Sequence, residues 1–499
     1  MSDEFPIVIV GSGFSGIAMG VLLRRAGIDS FTILEKAGDV GGTWRDNTYP
    51  GAACDVPSHL YCFSFEPKPD WSRAFSPQQE IWEYLRHCVA KYDLARHIRF
   101  HRKVTGAEFD ERSGIWTVRI EGAEPMRARA LVLGNGALHV PSYPEIPGRE
   151  SFEGRLFHSA VWDHAFELAG KRVAVIGTGA SAIQLVPEIA PAVEKLQVFQ
   201  RTAPWVAPKP DHAISASRRE RFRRFRPLHW LHRARLYWTA ELMAVGFVVN
   251  PRLLKLLESF LRRYLAHEVR DPALRAKLTP SYTLGCKRIL LSNDYYAALQ
   301  RSNVELVTEP IERITPKGVQ TRGGVEHPAD AIICATGFMV GDYLTNLRIV
   351  GRAGRSLDQA VQARAGSYLG ITVHGFPNLF LLMGPNTGLG HNSMIFMIEA
   401  QARHALQAIQ TVRSRKLAFL DVLESAQAEF TAKLQRRMRR SVWSSGCHSW
   451  YMDADGYNGT LWPYFTFQYW WRTRRLALED FELVTPRLSP GAPSHSSAP

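Results

Sequence analysis

The 499-residue chain has few cysteines, and their positions exclude two classes of site. It contains six, at 54, 62, 88, 286, 334 and 447, and no two of them form a Cys-X-X-Cys pair. This spacing excludes a zinc ribbon and the vicinal cysteine pair of a dithiol redox enzyme. We expect no metal site, and scattered cysteines are typical of a protein of the reduced cytoplasm.

The sequence also lacks long apolar runs. The longest notable run extends from Leu242 to Val249, far short of the ~20 residues that a transmembrane helix needs. The first residues, MSDEFPIVIVGSG, combine early acidic side chains with a short strand-like run, which is unlike a signal peptide. We therefore expect a soluble cytoplasmic protein with no transmembrane segment.

Acidic residues are fewer than basic ones. The 61 lysines and arginines exceed the 47 aspartates and glutamates by 14, which favours anionic partners such as phosphate-bearing cofactors, a membrane surface or nucleic acid. Residues 211–275 alone hold 14 basic and 6 acidic side chains, and six arginines lie between Arg218 and Arg226. We interpret that cluster as a solvated helix face, and a peripheral membrane contact stays open as the alternative.

A β-α-β pattern stands at the beginning of the chain. A strand-like run ends at Val10 and leads into Gly11-Ser12-Gly13-Phe14-Ser15-Gly16, a helical stretch and a second strand that ends on Glu35. The glycines let the backbone approach a pyrophosphate, and the acidic residue, 24 positions beyond Gly11, can accept hydrogen bonds from a ribose hydroxyl. The pattern predicts a dinucleotide site for FAD or NAD.

The same pattern recurs once, later in the chain. A strand from Arg172 to Ile176 leads into Gly177-Thr178-Gly179-Ala180-Ser181-Ala182, and the next strand ends on Arg201, again 24 residues beyond the first glycine. Ala182 stands where the motif usually has its third glycine. Arginine at the strand end clamps a 2′-phosphate that an acidic residue would repel. The second unit therefore predicts an NADPH site.

These units and a helical stretch divide the chain. We predict an α/β fold of two doubly wound Rossmann-type dinucleotide-binding domains with a helical insertion, in which apolar residues at helical spacing from Leu253 to Leu265 indicate an amphipathic helix. The predicted boundaries are 1–145 for the first part of the FAD domain, 150–210 and 285–340 for the two parts of the NADP domain, 211–284 for the helical insertion, 378–485 for the second part of the FAD domain and 486–499 for a disordered tail.

Two longer motifs make the chain similar to one family. Residues 42–55, GTWRDNTYPGAACD, fit the pattern GxWxxxxYPGxxxD, and residues 152–163, FEGRLFHSAVWD, fit FxGxxxHxxxWD. Together they resemble the fingerprints of the type I Baeyer–Villiger monooxygenases, within the flavin-containing monooxygenases. The resemblance implies FAD- and NADPH-dependent insertion of one oxygen atom from O2 next to a ketone carbonyl, through a C4a-peroxyflavin, to give an ester or lactone.

The resemblance also implies which residues contact the FAD. Glu35 would hold the adenosine ribose, Val104 would meet the adenine, and Met394 would begin the helix that lies against the flavin ring. The other residues expected at this cofactor are Gly11, Gly13, Phe14, Ser15, Gly16, Lys36, Gly42, Thr43, Trp44, Asp46, Ala53, Cys54, Asp55 and Tyr61.

For NADPH, the family places Arg201, Thr202 and Lys287 at the 2′-phosphate. Trp450 resembles a tryptophan that closes over the cofactor, although the residues after it depart from the commoner form of that loop. The other residues expected at this cofactor are Gly177, Thr178, Gly179, Ala180, Ser181, Ala182, Gln184 and Arg288.

Arg288 matches the family's active-site arginine, and the candidate catalytic residues are Arg288 and Asp55. A guanidinium that is always protonated can stabilise negative charge on oxygen and offers no proton to it. Asp55 is expected to orient Arg288 through a charge-assisted pair. His158 lies in a segment that the family uses to link its domains, and we assign it no acid–base role.

Three other functions compete with this one. The nearest is oxygenation of nitrogen or sulfur with the same cofactors. A pyridine-nucleotide disulfide reductase shares the two nucleotide units but needs a cysteine pair that this chain lacks. A polyanion-binding protein is suggested only by the net charge, much of which the two nucleotide units explain, so we expect no nucleic-acid partner. Aromatic-rich segments favour a small apolar ketone as the substrate.

Overall fold

The structure is a computed structural model that describes residues 5–340, 347–362, 364, 366–446, 449–453 and 455–486. Two parallel sheets of five strands each form its centre. The disordered tail predicted from the sequence falls outside the described residues from position 487 on. The predicted domain boundaries stay predictions.

The first sheet is built mostly from the amino-terminal part of the chain. Its middle strand, Ile7–Val10, is buried along its whole length, as expected of an apolar run in a parallel sheet with helices on both faces. One edge strand comes from a much later part of the chain. In spatial order, the strands are Leu379–Leu381, Ala130–Leu133, Ile7–Val10, Phe31–Leu34 and Ile98–Arg99.

The second sheet repeats this arrangement around the second glycine motif. All of its strand pairs are parallel, and the chain returns to it after a long helical stretch. In spatial order, its strands are Val304–Val307, Lys195–Phe199, Arg172–Ile176, Ala331–Cys334 and Arg155–His158. The predicted fold class, α/β with two Rossmann-type cores, is confirmed.

Smaller sheets flank the two cores. Two of them are pairs: the parallel pair Val206–Ala207 and Leu290–Leu291, and the antiparallel pair Phe419–Val422 and Phe481–Val484. A third is antiparallel and consists of Ile311–Thr315, Gly318–Thr321 and Glu326–Pro328. The fourth is mixed and consists of Arg348–Val350, Val104–Asp110, Ile115–Ile120 and Ala123–Ala128.

The helices pack on the two parallel sheets and on each other. The first helix of the chain packs against the long helix near residue 400, and both cover the first sheet. In chain order, the α-helices are α1 (Phe14–Arg25), α2 (Thr43–Asp46), α3 (Gln78–Lys91), α4 (Ala180–Ile189), α5 (Ala216–Arg224), α6 (Arg226–Ala244), α7 (Leu254–Glu268), α8 (Pro272–Leu278), α9 (Tyr295–Leu299), α10 (Leu357–Gln362), α11 (Met394–Ser414), α12 (Glu424–Met438) and α13 (Thr466–Thr473).

The predicted insertion is helical. Residues 211–284, all of which the structure describes, contain α5 to α8 and a π-helical turn at Val245–Val249. The predicted amphipathic helix is α7, whose buried face carries Leu254, Leu261 and Leu265. Among the helices of the described chain, none combines the length and the apolar character needed to cross a bilayer.

Candidate active site

The first glycine turn is shaped by close approaches of the backbone. Gly11 has a φ of +93°, and a Cβ atom there would lie 2.8 Å from the Gly134 carbonyl oxygen. A Cβ on Gly16 would lie 1.9 Å from the Gly11 carbonyl oxygen. At Gly13, the residue that caps α1, the nearest atom is 3.9 Å away, on Gly42. The middle glycine therefore faces open space at a helix N-terminus, which suits a pyrophosphate.

Glu35 lies at the end of the strand beside this turn, where the sequence predicts it. One carboxylate oxygen accepts hydrogen bonds from the Ser12 amide at 3.0 Å and the Ser12 hydroxyl at 2.7 Å. The other accepts from the Ala37 amide at 3.0 Å and from Arg45 at 3.1 Å. The Ser12 hydroxyl can rotate away, so a ribose hydroxyl can take its place on a carboxylate that is otherwise held rigidly.

The second glycine turn has the same construction. Gly177 has a φ of +113°, and a Cβ atom there would lie 2.5 Å from the Ala335 carbonyl oxygen. No atom lies within 4 Å of a Cβ built on Gly179, which caps α4. Ala182 is buried against the sheet, which explains why a methyl group is accepted at this third position. The turn fits a second pyrophosphate.

Two cations lie beside the second turn. Burial lowers the pKa of Lys287, and the charge of Arg201 lowers it further. The side chains of Arg201 and Lys287 are therefore close enough to repel each other. Lys287 lies over the Tyr282 ring, and among the described residues neither cation forms an ion pair with a carboxylate. The Thr178 hydroxyl donates to the Thr202 carbonyl at 3.3 Å and holds the adjacent loop. Neighbouring cations without an anion suit a 2′-phosphate.

Arg288 and Asp55 are brought together from positions 233 residues apart. Arg288 donates from Nε and Nη2 to the two carboxylate oxygens, both at 2.7 Å, and the side chains are 33% and 25% exposed. Burial raises the pKa of Asp55, but the charge and the hydrogen bonds of Arg288, together with smaller effects, outweigh burial and hold that pKa below its usual range. The guanidinium is thus fixed in orientation, as the sequence predicts.

Tyr451 is a nearby residue that sequence reasoning missed. Its side chain is buried, and its hydroxyl has no hydrogen-bond partner among the described residues. Burial raises its pKa to about 12, and the charges of Arg288 and Asp55 act on it. The only sequence signal is that it follows Trp450. A buried hydroxyl without a partner, coupled to Arg288, is available to a ligand.

Glu241, on α6, is a second residue that sequence reasoning missed. Its buried carboxylate accepts from Asn392 at 2.6 Å and from the Thr466 hydroxyl at 2.5 Å, and it lies 3.7 Å from the His391 ring. It therefore ties the insertion to the turn that precedes Met394 and α11. The sequence feature that could have revealed Glu241 is a single acidic residue in the otherwise uncharged stretch TAELMAVGF.

The aromatic residues predicted at the FAD form one group beside the first turn. The Trp44 ring nitrogen donates to the Tyr61 hydroxyl at 3.1 Å, and the Phe14 and Tyr61 rings meet edge to face with 5.3 Å between their centres. The Thr43 hydroxyl donates to the Leu138 carbonyl at 3.2 Å. The structure thus brings these predicted residues together, and their contact with FAD stays a prediction.

Gln184 makes hydrogen bonds that its predicted role does not include. Its carbonyl oxygen accepts from the Tyr49 hydroxyl at 2.9 Å, and its amide donates to the Ala53 carbonyl at 2.9 Å. These bonds join α4 to the loop that carries Cys54 and Asp55. Contact with NADPH stays a prediction for Gln184, whose amide nitrogen has a second hydrogen that could make it.

The other predicted residues occupy varied surroundings. Asp46 pairs with Arg45, Lys36 is exposed, Val104 is buried at the start of a strand, Met394 begins α11, and Trp450 is exposed. Their predicted contacts with the cofactors stay predictions. Cys54 is a buried free thiol. Burial raises its pKa above the usual range, so it is a poor nucleophile.

His158, which we excluded from acid–base catalysis, is fully buried. Its Nδ1 accepts from the Ala160 amide at 3.0 Å, and its ring packs edge to face against Tyr143 and Phe338. Burial lowers its pKa to about 4. Tyr143 and Phe338 lie in the two segments that connect the two parallel sheets. The neutral His158 ring packs between these segments.

The sequence matches one family model and named relatives among known proteins. Residues 8–228 match the family described as pyridine nucleotide-disulphide oxidoreductase. A protein of Pseudomonas aeruginosa named Baeyer-Villiger monooxygenase is 46% identical to this chain over 485 residues, which cover 97% of this chain and 92% of the relative.

Two solved structures resemble the whole molecule. One is an oxidized steroid monooxygenase bound to NADP, with 30% identity, a TM-score of 0.87 and coverage of 96% of this chain and 99% of that one. The other is a complex of OTEMO with FAD and NADP, with 27% identity, a TM-score of 0.86 and coverage of 97% of this chain and 100% of that one.

Proposed function

Because the chain belongs to the Baeyer–Villiger monooxygenases, we propose that it uses FAD, NADPH and O2 to insert one oxygen atom next to a ketone carbonyl, giving an ester or lactone. FAD supplies the redox chemistry when bound, since it accepts hydride from NADPH and activates O2. The two open glycine turns support one dinucleotide at each sheet. The acid Glu35 at the first and the cations Arg201 and Lys287 at the second support FAD and NADPH in that order.

The observation that carries the proposal is the ion pair of Arg288 with Asp55. Attack on a ketone carbonyl turns the carbonyl oxygen into an oxyanion, and a fixed cation lowers the energy of that charge. The bidentate geometry keeps the guanidinium in place, and a group that stays protonated does not quench a nucleophilic oxygen. Oxygenation of sulfur develops no such oxyanion, so the pair favours the ketone reaction.

The surroundings of Arg288 support an apolar substrate. Tyr451 belongs to a buried apolar cluster that also contains Phe247 and Trp443, and Ile289 and Met394 pack against it. An apolar ketone would lose little solvation on entering such surroundings. The Tyr451 hydroxyl is the one polar group of this cluster that we propose to contact the substrate carbonyl.

The test is a panel of linear and cyclic ketones, sulfides and amines, each incubated with purified protein, FAD and NADPH. We expect ketones to accelerate NADPH consumption, with ester formed in matching amount, and sulfides to react more slowly. Brisk turnover of sulfides or amines with no ester from any ketone would contradict the proposal and favour a heteroatom oxygenase.

A further inference from the structure

The outward face of α6 is unusually apolar for a surface helix. Leu231, Trp238 and Leu242 are 68%, 58% and 73% exposed, and their spacing places them on one side of the helix. Arg235, also exposed, lies between them on that side. Glu241 lies about 90° around α6 from this face, at 3.6 residues per turn, and it is buried against the turn before α11. One helix therefore carries both the apolar outer surface and a side chain that contacts the candidate active site.

This surface continues onto α13. The rings of Trp238 and Phe467 lie 6.1 Å apart, and Trp470 and Trp471 are exposed on the same short helix. We call the set the outer patch, and it consists of Leu231, Trp238, Leu242, Phe467, Trp470 and Trp471. Soluble proteins seldom expose so many large apolar side chains together, and a patch of this kind marks an interaction site.

Arginines lie on the helices that carry or adjoin the outer patch. Helix α5, which packs against α6, exposes Arg221, Arg223 and Arg224, and Arg223 pairs with Glu220. On α13, the Arg474 guanidinium lies over the Trp471 ring. Aromatic and aliphatic side chains flanked by arginines are the composition of helices that lie in the interface of an anionic bilayer.

We propose that the outer patch and the arginines of α5 dock the protein on the surface of a bilayer that contains anionic lipid. A second copy of the chain is a poorer partner, because an isologous contact would bring two copies of these arginines into one interface. In a bilayer, the apolar side chains enter the boundary of the acyl chains while the arginines meet the lipid phosphates. The docking needs no helix that spans the membrane.

Docking on a bilayer would bring the candidate active site close to a source of apolar substrate. This inference about the substrate rests on the proposed function. An apolar ketone dissolves preferentially in lipid. Helix α6 is about 10 Å thick, and its Glu241 carboxylate accepts a hydrogen bond from Asn392, two residues before Met394. The membrane surface would thus lie one helix away from the site that consumes the ketone.

The test is sedimentation of the full-length FAD-bound protein with vesicles of phosphatidylcholine, alone or mixed with phosphatidylglycerol. We expect binding to the mixed vesicles, weakened at least about tenfold in Trp238→Ser/Leu242→Ser, since each apolar side chain that leaves water contributes roughly an order of magnitude to affinity. The matched control is Val161→Ser/Val325→Ser, which changes two exposed apolar residues outside the patch and should bind like the unmodified protein.

A second pair of variants tests the charge. Arg221→Gln/Arg223→Gln should weaken binding and its dependence on salt, whereas Arg301→Gln/Arg322→Gln, which removes two exposed arginines elsewhere, should not. Absence of binding to mixed vesicles would overturn the proposal. It would also be overturned by equal binding of all variants, or by a dimer in sedimentation equilibrium that Trp238→Ser/Leu242→Ser dissociates. None of these results depends on turnover of a ketone.

Discussion

Replacement of Asp55 by asparagine isolates the contribution of its charge to the orientation of Arg288. The two side chains share two hydrogen bonds of 2.7 Å, both charge-assisted. The asparagine side chain would keep the shape, but it can accept only through its carbonyl oxygen, so one bond is lost and the other becomes weaker. We expect a loss of about 2 kcal/mol of interaction, which corresponds to a roughly 30-fold lower rate of ester formation.

The assay separates flavin reduction from oxygenation. Reduction of the bound flavin by NADPH is followed without O2, and ester formed per NADPH is measured with O2 and ketone. The matched control is Asp330→Asn, because Asp330 also pairs with an arginine, Arg172, through both carboxylate oxygens but lies outside the site. We expect this control to form ester at close to the normal rate.

A double-mutant cycle shows whether Asp55 acts through Arg288. If it does, Asp55→Asn combined with Arg288→Ala should be no slower than Arg288→Ala alone, because the oriented group is already absent. Fully additive losses would refute the reasoning, as would a normal rate of ester formation in Asp55→Asn.

Three further predictions concern other parts of the site. Arg201→Ala should raise the KM for NADPH substantially and leave that for NADH nearly unchanged, since only the 2′-phosphate contact is lost; equal loss with both cofactors would contradict the assignment. Glu241→Gln should lower the Tm and reduce kcat, because it weakens the bonds to Asn392 and Thr466, and unchanged values of both would count against it. Because Arg288 holds the pKa of Asp55 below its usual range, the stability from this pair should persist above about pH 4 and be lost only as the pH falls further, which thermal unfolding across acidic pH would measure.

The local patterns of the sequence predict much of the fold and part of the site. The turns at Gly11 and Gly177 could be predicted because a glycine motif between a strand and a helix has one dominant geometry. The helices α1 and α4 begin inside the glycine motifs, at Phe14 and Ala180, because the glycines at 13 and 179 cap them. The proximity of Arg288 to Asp55 was expected only through the family fingerprints, since 233 residues separate them.

The residues that could not be predicted depend on contacts between distant segments. Glu241 reaches Asn392 and Thr466, which lie 151 and 225 positions away, and no local pattern encodes such a contact. The exposure of Trp238 could not be predicted either. The periodicity of the sequence indicates that Trp238 lies on a helix face, but the packing of α6 against the rest of the molecule decides that this face stays uncovered.

We propose that the insertion of oxygen from O2 into a ketone takes place at the Arg288 site. The most direct measurement is mass spectrometry of the product formed by purified protein, FAD and NADPH from a ketone that is turned over, under isotopically labelled O2. We predict an ester or lactone that carries one labelled oxygen per molecule, and a strong reduction of that product in Arg288→Ala. A labelled sulfoxide or N-oxide from control substrates, without labelled ester from any ketone, would contradict the account.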